Sequence, residues 1–419
     1  MKFVQFHLRI PLVVAILIAC APVSSAQKSP PIPKPVIRAI TAFAIIDPAH
    51  VDSDVESVVK VLKTAKESFE QAGYQVQTLR ITTQSFEHVT RRMSREQTLE
   101  YYRSYEAAIK KEGVISAIGP AFMHEPDHKK VELFAEILAE HSSFNGTILV
   151  TDEKGVAWPA IHEAAFVMKY LENHTPKGQG NFSFAAAASV GEYSPFFPTS
   201  YFIVPDHRFA IALQGAGIVD DAFSRAKAGD LRAATDAFDT VLRVGVAGIG
   251  QVVAEIKEKT GWEYEGLDAS TAPLQDVSIG AAIEKLSGTP LGSPGTMTVA
   301  AAITHVLKEA PGELVGFNGL MLPVLEDVRI AQRWSEGRLT LDSLLAYSAV
   351  CGTGLDTVPL PGDVTEDQLA RIIGDVASLS VKWNKPLSVR LFPVPGKKAG
   401  DRTEFDSPFL VNATLQKLP

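Results

Sequence analysis

The sequence predicts an α/β protein built on one mostly parallel sheet, and three observations support this prediction. Strand-like and helix-like segments alternate over nearly the whole length, a pattern typical of parallel strands joined by helical crossovers. With 46% hydrophobic residues among 419, the chain can bury a large core. No low-complexity linker interrupts residues 36–419, so we expect this range to form a single domain.

The predicted elements alternate in order along the chain. The first strand covers residues 36–46, which are rich in β-branched side chains, and the first helix covers residues 51–73, where apolar residues recur at helical spacing. Further strands are predicted at residues 74–82, 114–118, 146–151, 181–190, 201–213, 264–268, 313–317, 355–358, 387–392 and 408–411. Further helices are predicted at residues 85–111, 127–140, 159–173, 217–227, 231–259, 279–286, 296–308, 341–350 and 365–380. This alternation favours a sheet that is either closed or doubly wound.

The first 26 residues have the pattern of an export signal. Lys2 and Arg9 form a basic start, and residues 12–21 are apolar but too few to span a bilayer. Small residues suited to cleavage follow. Cys20 also ends a stretch that resembles a bacterial lipobox, in which this cysteine would be lipidated. We therefore expect an exported protein, either periplasmic or anchored to the membrane through Cys20.

Residues 27–35 (QKSPPIPKP) form a proline-rich tether ahead of the folded domain at residues 36–419. The formal net charge of −8 argues against nucleic acid and acidic lipid as partners, since both are bound by clusters of Lys and Arg. We expect a small-molecule ligand and membrane contact only through a lipid on Cys20. The sequence identifies no cofactor, and it leaves open whether the protein is a homo-oligomer.

Polar side chains that follow predicted strands are the candidate site residues, because ligands of parallel α/β folds gather at the carboxyl ends of strands. The loop at residues 292–296 also opens a helix, whose N-terminal amides could hold an anion. A strand-end Asp or Ser taken alone is more often a helix cap, so the signal for a site is the convergence of these residues. The predicted ligand-binding residues are Asp47, Ser270, Thr271, Gly295, Thr296 and Asn318, and the predicted catalytic residues are Asp268, Cys351 and Asp356.

Residues 124–128 (HEPDH) spell the H-E-x-x-H pattern of zinc proteases. That chemistry needs both histidines on one continuous helix, and Pro126 would break or begin a helix between His124 and His128. The better interpretation is a helix that starts near Pro126 with Asp127 in its first turn. We therefore predict no metal site here.

Cys351 is the one cysteine outside the predicted export signal. It lies in a Cys-Gly-Thr-Gly turn after a predicted helix, where a scaffold could present a reactive thiol. A single cysteine is also often a small buried apolar residue, and an exposed thiol would be liable to oxidation outside the cytoplasm. Both interpretations stay open, and export favours a shielded thiol.

Several segments together resemble a known protein family. They are residues 266–273 (GLDASTAP), residues 292–296 before an alanine-rich helix, residues 317–323 (FNGLMLP) and residues 349–361 (AVCGTGLDTVPLP). This combination resembles the family called domain of unknown function 711, whose fold belongs with the pyruvate formate-lyase-like barrels. Weaker matches at residues 38–48 and 212–219 extend the resemblance over most of the chain, and residues 75–180 match least.

The resemblance implies a closed ten-stranded α/β barrel with a loop inside it that carries Cys351, with Asp356 nearby. Glycyl-radical enzymes of that superfamily carry a glycine-containing stretch near the carboxyl end, whereas residues 405–419 contain no glycine. We therefore do not expect a functional glycyl-radical enzyme. The family brings no assigned reaction.

The functional expectation is an enzyme that acts on a small polar metabolite at the barrel mouth. Asp268 or Asp356 would act as acid or base, and Cys351 would act as a nucleophile or form part of the pocket wall. The alternative is a non-catalytic ligand-binding or accessory protein on the same scaffold. The sequence leaves the choice between the two open.

Overall fold

The computed structural model describes Ile32, residues 34–204 and residues 207–418. The predicted export signal, the lipobox cysteine Cys20 and most of the predicted tether lie outside these residues. The described chain is a mixed α/β fold, as predicted, with a large sheet that is mostly parallel.

Nine strands form the main sheet, in the spatial order β10-β11-β7-β4-β3-β2-β1-β8-β9. Their bounds are β1 Ile37–Phe43, β2 Val76–Thr82, β3 Ile115–Pro120, β4 Phe144–Leu149, β7 Phe184–Ala188, β8 Arg208–Leu213, β9 Glu263–Asp268, β10 Gly354–Pro361 and β11 Leu387–Val394. A separate two-stranded ribbon consists of β5 (Thr151–Asp152) and β6 (Gly155–Val156). Among the described residues the strand pairing therefore runs from β10 to β9, and no closed barrel is detected.

The strand directions divide the main sheet into a central block and two flanks. Strands β1, β2, β3, β4 and β7 run parallel to one another. At one side β8 pairs antiparallel with β1, and β9 continues parallel to β8. At the other side β11 pairs antiparallel with β7, and β10 is parallel to β11. The two flanks therefore share one direction, opposite to that of the central five strands.

Thirteen α-helices and one 3₁₀ segment connect the strands of the described chain. The bounds are α1 Val51–Gln71, α2 Phe86–Thr90, α3 Arg95–Glu112, α4 His128–Glu140, α5 Trp158–His174, the 3₁₀ segment Pro176–Ser183, α6 Ala216–Ser224, α7 Leu231–Val246, α8 Ile249–Thr260, α9 Ile279–Ser287, α10 Thr296–Lys308, α11 Val328–Ser335, α12 Leu341–Ser348 and α13 Glu366–Trp383. Local chemistry explains several ends. Ser94 and Thr365 form capping boxes that begin α3 and α13, and Gly113 ends α3 in the left-handed region.

The H-E-x-x-H stretch does not form a continuous helix. Asp127 caps α4 and accepts a hydrogen bond from the Lys129 amide, so that His128 is the first helical residue and His124 lies before the helix. His128 contacts Glu163 instead, with 2.9 Å between Nδ1 and Oε2. The two histidines therefore do not share a helix face. The position of Pro126 between them predicted this outcome.

Helices α7 and α8 together span Leu231–Thr260, a stretch long and apolar enough to cross a membrane by length and composition. The helical path breaks at Ala247–Gly248, where a Cβ on Gly248 would come within 2.9 Å of the Tyr74 hydroxyl oxygen. About 44% of the most apolar window is buried within the fold. Core helices of soluble proteins have the same composition, so the stretch is weak evidence for a membrane span.

Small side chains on three strands allow two loops to pack against the sheet. Ala39 of β1, Ala187 of β7 and Ala212 of β8 are buried in one cluster with Phe196, Phe317 and Met321 from the loops. Strand hydroxyls also hold the first of these loops, since Thr41 Oγ1 donates to the Pro195 carbonyl at 3.1 Å and Thr82 Oγ1 lies 2.6 Å from Ser200 Oγ. The sheet and the two loops together enclose the site described next.

Candidate functional site

A cavity of about 620 Å³ lies between the sheet and the two packed loops. This volume lies within the range of ordinary small-molecule sites. Its charged lining consists of three arginines and two carboxylates. Four of these residues lie on strands in the central block and one flank of the sheet, and the fifth lies in a loop. These residues are Arg38 on β1, Arg80 on β2, Glu326, Asp356 on β10 and Arg390 on β11.

Arg390 is the paired arginine of the cavity. Its Nε donates to Asp356 Oδ1 at 2.5 Å, and its Nη2 donates to Glu326 Oε1 at 2.5 Å. Although burial lowers the pKa of Arg390, the charges of Asp356 and Glu326 outweigh burial and raise that pKa above its usual value. The two carboxylates are thus largely committed to this one guanidinium.

Arg38 and Arg80 are left with little compensation. Arg38 Nη2 reaches Glu326 Oε2 only at 3.6 Å. Arg80 Nε donates to Thr78 Oγ1 at 3.1 Å and its guanidinium lies 4.9 Å from the Phe197 ring centroid, but no carboxylate of the described chain pairs with it. Burial, with the positive charge of Arg38, lowers the pKa of Arg80 to about 9. At neutral pH Arg80 therefore carries a buried positive charge without a partner carboxylate.

Thr353 adds a second unsatisfied group to the same cavity. This residue is 2% exposed and lines the cavity. Its backbone carbonyl accepts hydrogen bonds from the Ser388 amide and hydroxyl, at 2.7 and 3.0 Å. Its side-chain hydroxyl has no hydrogen-bond partner among the described residues. Buried hydroxyls without a partner are uncommon in folded proteins.

A local irregularity in β10 aims Asp356 at the cavity. The pairing of β10 with β11 shifts register between Leu355 and Val358, which leaves the two intervening residues in a bulge. Thr357, a β-branched residue, has a φ of 46° there, a conformation that costs energy. Thr357 Oγ1 accepts a hydrogen bond from the Leu325 amide, which holds the bulge against the loop that carries Glu326.

The rest of the lining is mainly apolar and aromatic. Phe196, Phe317 and Met321 belong to the buried loop cluster, and Phe197 lies under the Arg80 guanidinium. At another wall, Phe182 contacts the Arg390 guanidinium, with 5.3 Å to the ring centroid. The arginines thus meet a largely apolar chamber, in which charge interactions are stronger than in water.

Asp268, one of the predicted catalytic residues, is fully buried outside the cavity lining. It accepts hydrogen bonds from the Ser270 amide and hydroxyl and from the Phe317 and Asn318 amides, at 2.6 to 3.1 Å. Burial raises the pKa of Asp268, and these hydrogen bonds oppose that shift. This carboxylate holds the loop at residues 316–319 to the end of β9.

The hydroxyl and amide residues predicted near Asp268 also serve backbone contacts. Ser270 Oγ accepts from the Gly319 amide at 3.1 Å, and Thr271 Oγ1 accepts from the Met321 amide at 3.0 Å. Asn318 Oδ1 accepts from the Ala269 amide at 2.9 Å. These contacts hold Phe317 and Met321 in place, so this group of predicted residues supports the cavity wall from behind.

Cys351 is 1% exposed and is not part of the cavity lining. The next residue, Gly352, packs so closely on Gly319 that a Cβ on either glycine would overlap the other's backbone. The Gly352 amide donates to the Leu320 carbonyl at 2.7 Å. The turn that carries the thiol thus joins the second packed loop and places Thr353, rather than Cys351, at the cavity.

The remaining predicted residues lie elsewhere. Asp47 is exposed after the carboxyl end of β1, whereas the cavity residue Arg38 lies near the amino end of that strand. Gly295 and Thr296 begin α10, where Thr296 Oγ1 accepts from the Gly292 amide at 3.1 Å. Of the nine predicted site residues only Asp356 lines the cavity. The roles predicted for the other eight stay predictions.

The arginines were missed by a search restricted to strand ends. Each lies inside a predicted strand: Arg38 in VIRAITAF, Arg80 in QTLRIT and Arg390 in LSVRLF. A charged side chain within a strand that is otherwise buried is uncommon unless it is paired or functional. That signal is present in the sequence, and it would have identified all three.

Comparison with known proteins identifies relatives over most of the chain. The family model described as "Uncharacterised ACR (DUF711)" matches residues 34–407. The UPF0210 protein of Pyrobaculum aerophilum is 34% identical over 299 residues, covering 69% of this chain and 65% of that protein. The UPF0210 protein of Pyrobaculum islandicum is 30% identical over 370 residues, covering 84% and 81%. That of Methanopyrus kandleri is 26% identical over 398 residues, covering 88% of each chain.

The extent of these alignments differs between relatives. Those with the Pyrobaculum aerophilum and Pyrobaculum arsenaticum proteins cover 65% and 64% of the relatives' own length, just under two thirds. None of the four names states an activity, a substrate or a partner.

Proposed function

This chain belongs to the DUF711 (UPF0210) family, and we propose that it binds a small anionic metabolite in the arginine-lined cavity. One observation carries the proposal: Arg80 is buried, and no carboxylate of the described chain pairs with its guanidinium. A buried charge without a partner is costly. An anion bound at this place would offset that cost and leave the cavity close to neutral.

The chemistry of the donors favours a carboxylate or phosphate group. A guanidinium presents several N–H donors in one plane, which matches two oxygens of such an anion. The Nε of Arg80 is already used by Thr78, so its two terminal nitrogens supply the donors toward the cavity.

The test is binding of simple anions to the wild type and to two variants. Acetate and inorganic phosphate are titrated into each protein, and dissociation constants are measured by calorimetry. Arg80→Met should weaken the binding of both anions by about tenfold to a hundredfold, the loss expected for a hydrogen bond to a charged group. Arg371→Met, on the exposed face of α13, is the matched control and should leave binding unchanged. If neither anion binds the wild type, or if Arg80→Met binds both as tightly, the proposal is wrong.

Catalysis at the same cavity is the second candidate, favoured by the bulge at Asp356. Bulges and positive φ values at non-glycine residues recur at active sites, and Asp356 lines the cavity, where its Oδ1 accepts a hydrogen bond from Arg390 Nε. It would act as the general acid or base on the bound metabolite. Asp356→Asn should abolish turnover of a substrate while leaving its binding measurable. If turnover persists, Asp356 is not the acid or base.

The proposal includes closure of the sheet into the pyruvate formate-lyase-like barrel. Its support is the segment at residues 313–326, which makes backbone contacts with both end strands. Leu267 of β9 exchanges backbone hydrogen bonds with Glu313 and Val315, and the Val324 amide donates to the Asp356 carbonyl of β10. With this segment as the tenth strand, each half of the barrel would have five parallel strands. An experimental structure with this segment away from either end strand would contradict closure.

Export remains part of the proposal and rests on the sequence of the first 26 residues. Expression of the full chain in a bacterial host should yield processed protein in the periplasmic or membrane fraction, and deletion of residues 2–26 should retain it in the cytoplasm. A Cys20→Ser variant distinguishes a lipid-anchored protein from a released one. If the protein is anchored through Cys20, the substitution should remove it from the membrane fraction; if the protein is released, the substitution should leave its location unchanged. Full-length, unprocessed protein in the cytoplasm would contradict export.

A further inference from the structure

We propose that the ligand of this cavity is a monocarboxylate with an apolar body, an inference that rests on the proposed function and narrows its ligand class. The charge of the cavity selects the anionic group, and the side chains around the arginines select the body. Each of the two properties comes from different residues and can be tested separately.

The charge balance favours one negative charge on the ligand. The three arginines of the lining face two carboxylates, which leaves a single excess positive charge, and no other charged residue of the described chain lines the cavity. A carboxylate carries one charge at neutral pH, whereas a phosphate monoester carries between about one and a half and two. In a chamber of low polarity the additional negative charge would be uncompensated and costly.

The position of the free guanidinium limits how the anion binds. The Phe197 ring covers the Arg80 guanidinium, with 4.9 Å between the centroid and Cζ, and Thr78 occupies its Nε. Only the edge that carries the two terminal nitrogens is left for the ligand. This edge suits the two oxygens of one carboxylate, with the longer Arg38–Glu326 ion pair nearby.

The apolar wall favours a ligand that extends beyond its anionic group. Phe196, Phe317 and Met321 are each no more than 7% exposed. The contacts of Asp268 and Thr271 described above hold Phe317 and Met321, and the hydrogen bond from Thr41 to the Pro195 carbonyl holds the loop that carries Phe196. A ligand that fills the cavity must therefore contact aromatic rings and a thioether. A very small acid such as acetate would leave most of about 620 Å³ without apolar contact.

Four probes separate the two properties in calorimetric titrations of the full-length protein. Hexanoate has both the carboxylate and the apolar body, acetate has only the carboxylate, hexan-1-ol has only the body, and hexyl phosphate has the body with a more highly charged group. Each methylene that becomes buried strengthens binding by about fourfold. Hexanoate should therefore bind at least about tenfold tighter than acetate, and tighter than both hexan-1-ol and hexyl phosphate.

The outcomes distinguish this inference from the proposed function. If acetate binds as tightly as hexanoate, the inference of an apolar body on the ligand is wrong, while the proposal of anion binding stands. If hexyl phosphate binds tighter than hexanoate, the inference of a monocarboxylate ligand is wrong, while the proposal of anion binding stands. If hexan-1-ol binds as tightly as hexanoate, or if none of the anions binds, both the inference and the proposed function are wrong. Arg80→Met should reduce the affinity for hexanoate to that for hexan-1-ol, and Arg371→Met should not.

Discussion

Two buried groups of charged residues in this protein differ in how completely their partners satisfy them. Asp268 accepts four hydrogen bonds from groups within the same corner of the fold. The cavity group has three arginines against two carboxylates, and Arg80 has no carboxylate partner in the described chain. Both groups are buried. They differ in whether the protein supplies hydrogen-bond or ion-pair partners for their charges.

This difference indicates different roles. A carboxylate whose acceptors are filled by the backbone fixes a loop and has little left for a ligand, because every hydrogen bond to a ligand would replace one to the protein. A guanidinium held between an aromatic ring and a hydroxyl keeps donors for a ligand and is destabilising until one binds.

Asp268→Asn should have the largest effect, a loss of about 3 to 5 kcal/mol in the free energy of unfolding, because two buried donors would be left unpaired. The new NH2 group would replace Oδ2, which now accepts from the Phe317 amide, so that these two donors would face each other. Urea denaturation followed by circular dichroism measures the loss. Asp47→Asn is the control, since that side chain is exposed after β1 and should unfold like the wild type. A loss below about 1 kcal/mol for Asp268→Asn would remove the structural role.

Asp356→Asn should lower the free energy of unfolding by less, about 1 to 3 kcal/mol, because Arg390 keeps its hydrogen bond to Glu326. The same change raises the excess positive charge of the cavity from one to two. We expect inorganic phosphate to gain about tenfold in affinity relative to acetate. Calorimetric titration of both anions measures this ratio, and an unchanged ratio would mean that Asp356 does not contribute to the charge balance at the ligand.

Arg80→Met should leave the ligand-free protein as stable as the wild type or more stable, by about 1 kcal/mol. The reason is that an apolar side chain of similar length replaces a buried charge without a partner carboxylate. Thermal unfolding without added anion measures the change, with Arg371→Met as the surface control. A stability loss comparable to that of Asp268→Asn would show that Arg80 is satisfied by the protein, and the contrast between the two groups would disappear.

The smallest expected effect concerns pH. Burial and Arg38 lower the pKa of Arg80 to about 9, so its charge is present below that pH and is lost as the pH rises through it. Acetate affinity should stay constant between pH 6 and 8 and fall by about twofold at pH 9, where half of the guanidinium groups would be neutral. Calorimetric titrations across this range measure the profile. A several-fold change between pH 6 and 8 would show that another group titrates at the site.

Much of the fold could be predicted from local sequence. The helix at residues 51–73 is observed as α1, because its apolar residues recur at helical spacing, and the turn at Pro126 prevents the histidine pair from sharing a helix. The region predicted as one helix at residues 85–111 is two helices, α2 and α3, because the Ser94 capping box begins a new one. Of the described residues in the segment predicted at 201–213, those of Arg208–Leu213 form a strand.

The site was harder to predict than the fold. The strand-end rule selected Asp356 and Asp268 on the same grounds, since a strand-end carboxylate looks alike in sequence whether it binds a ligand or a backbone. It also selected Asp47, which lies toward the other end of β1 from Arg38, because the sheet is mixed and its strands end at both edges. Arg38, Arg80 and Arg390 lie within strands, and the rule did not extend to such positions.

Local patterns in the sequence specify most of the helices and strands, because spacing and capping act over a few residues. The sequence also contains three arginines within predicted strands, where charge is unexpected. Only the tertiary structure decided which of these charges are compensated. Residues 38, 80, 326, 356 and 390 meet at one cavity through a strand order that no local pattern specifies. Charge balance depends on distances between groups far apart in the chain, so the free guanidinium of Arg80 is a property of the fold.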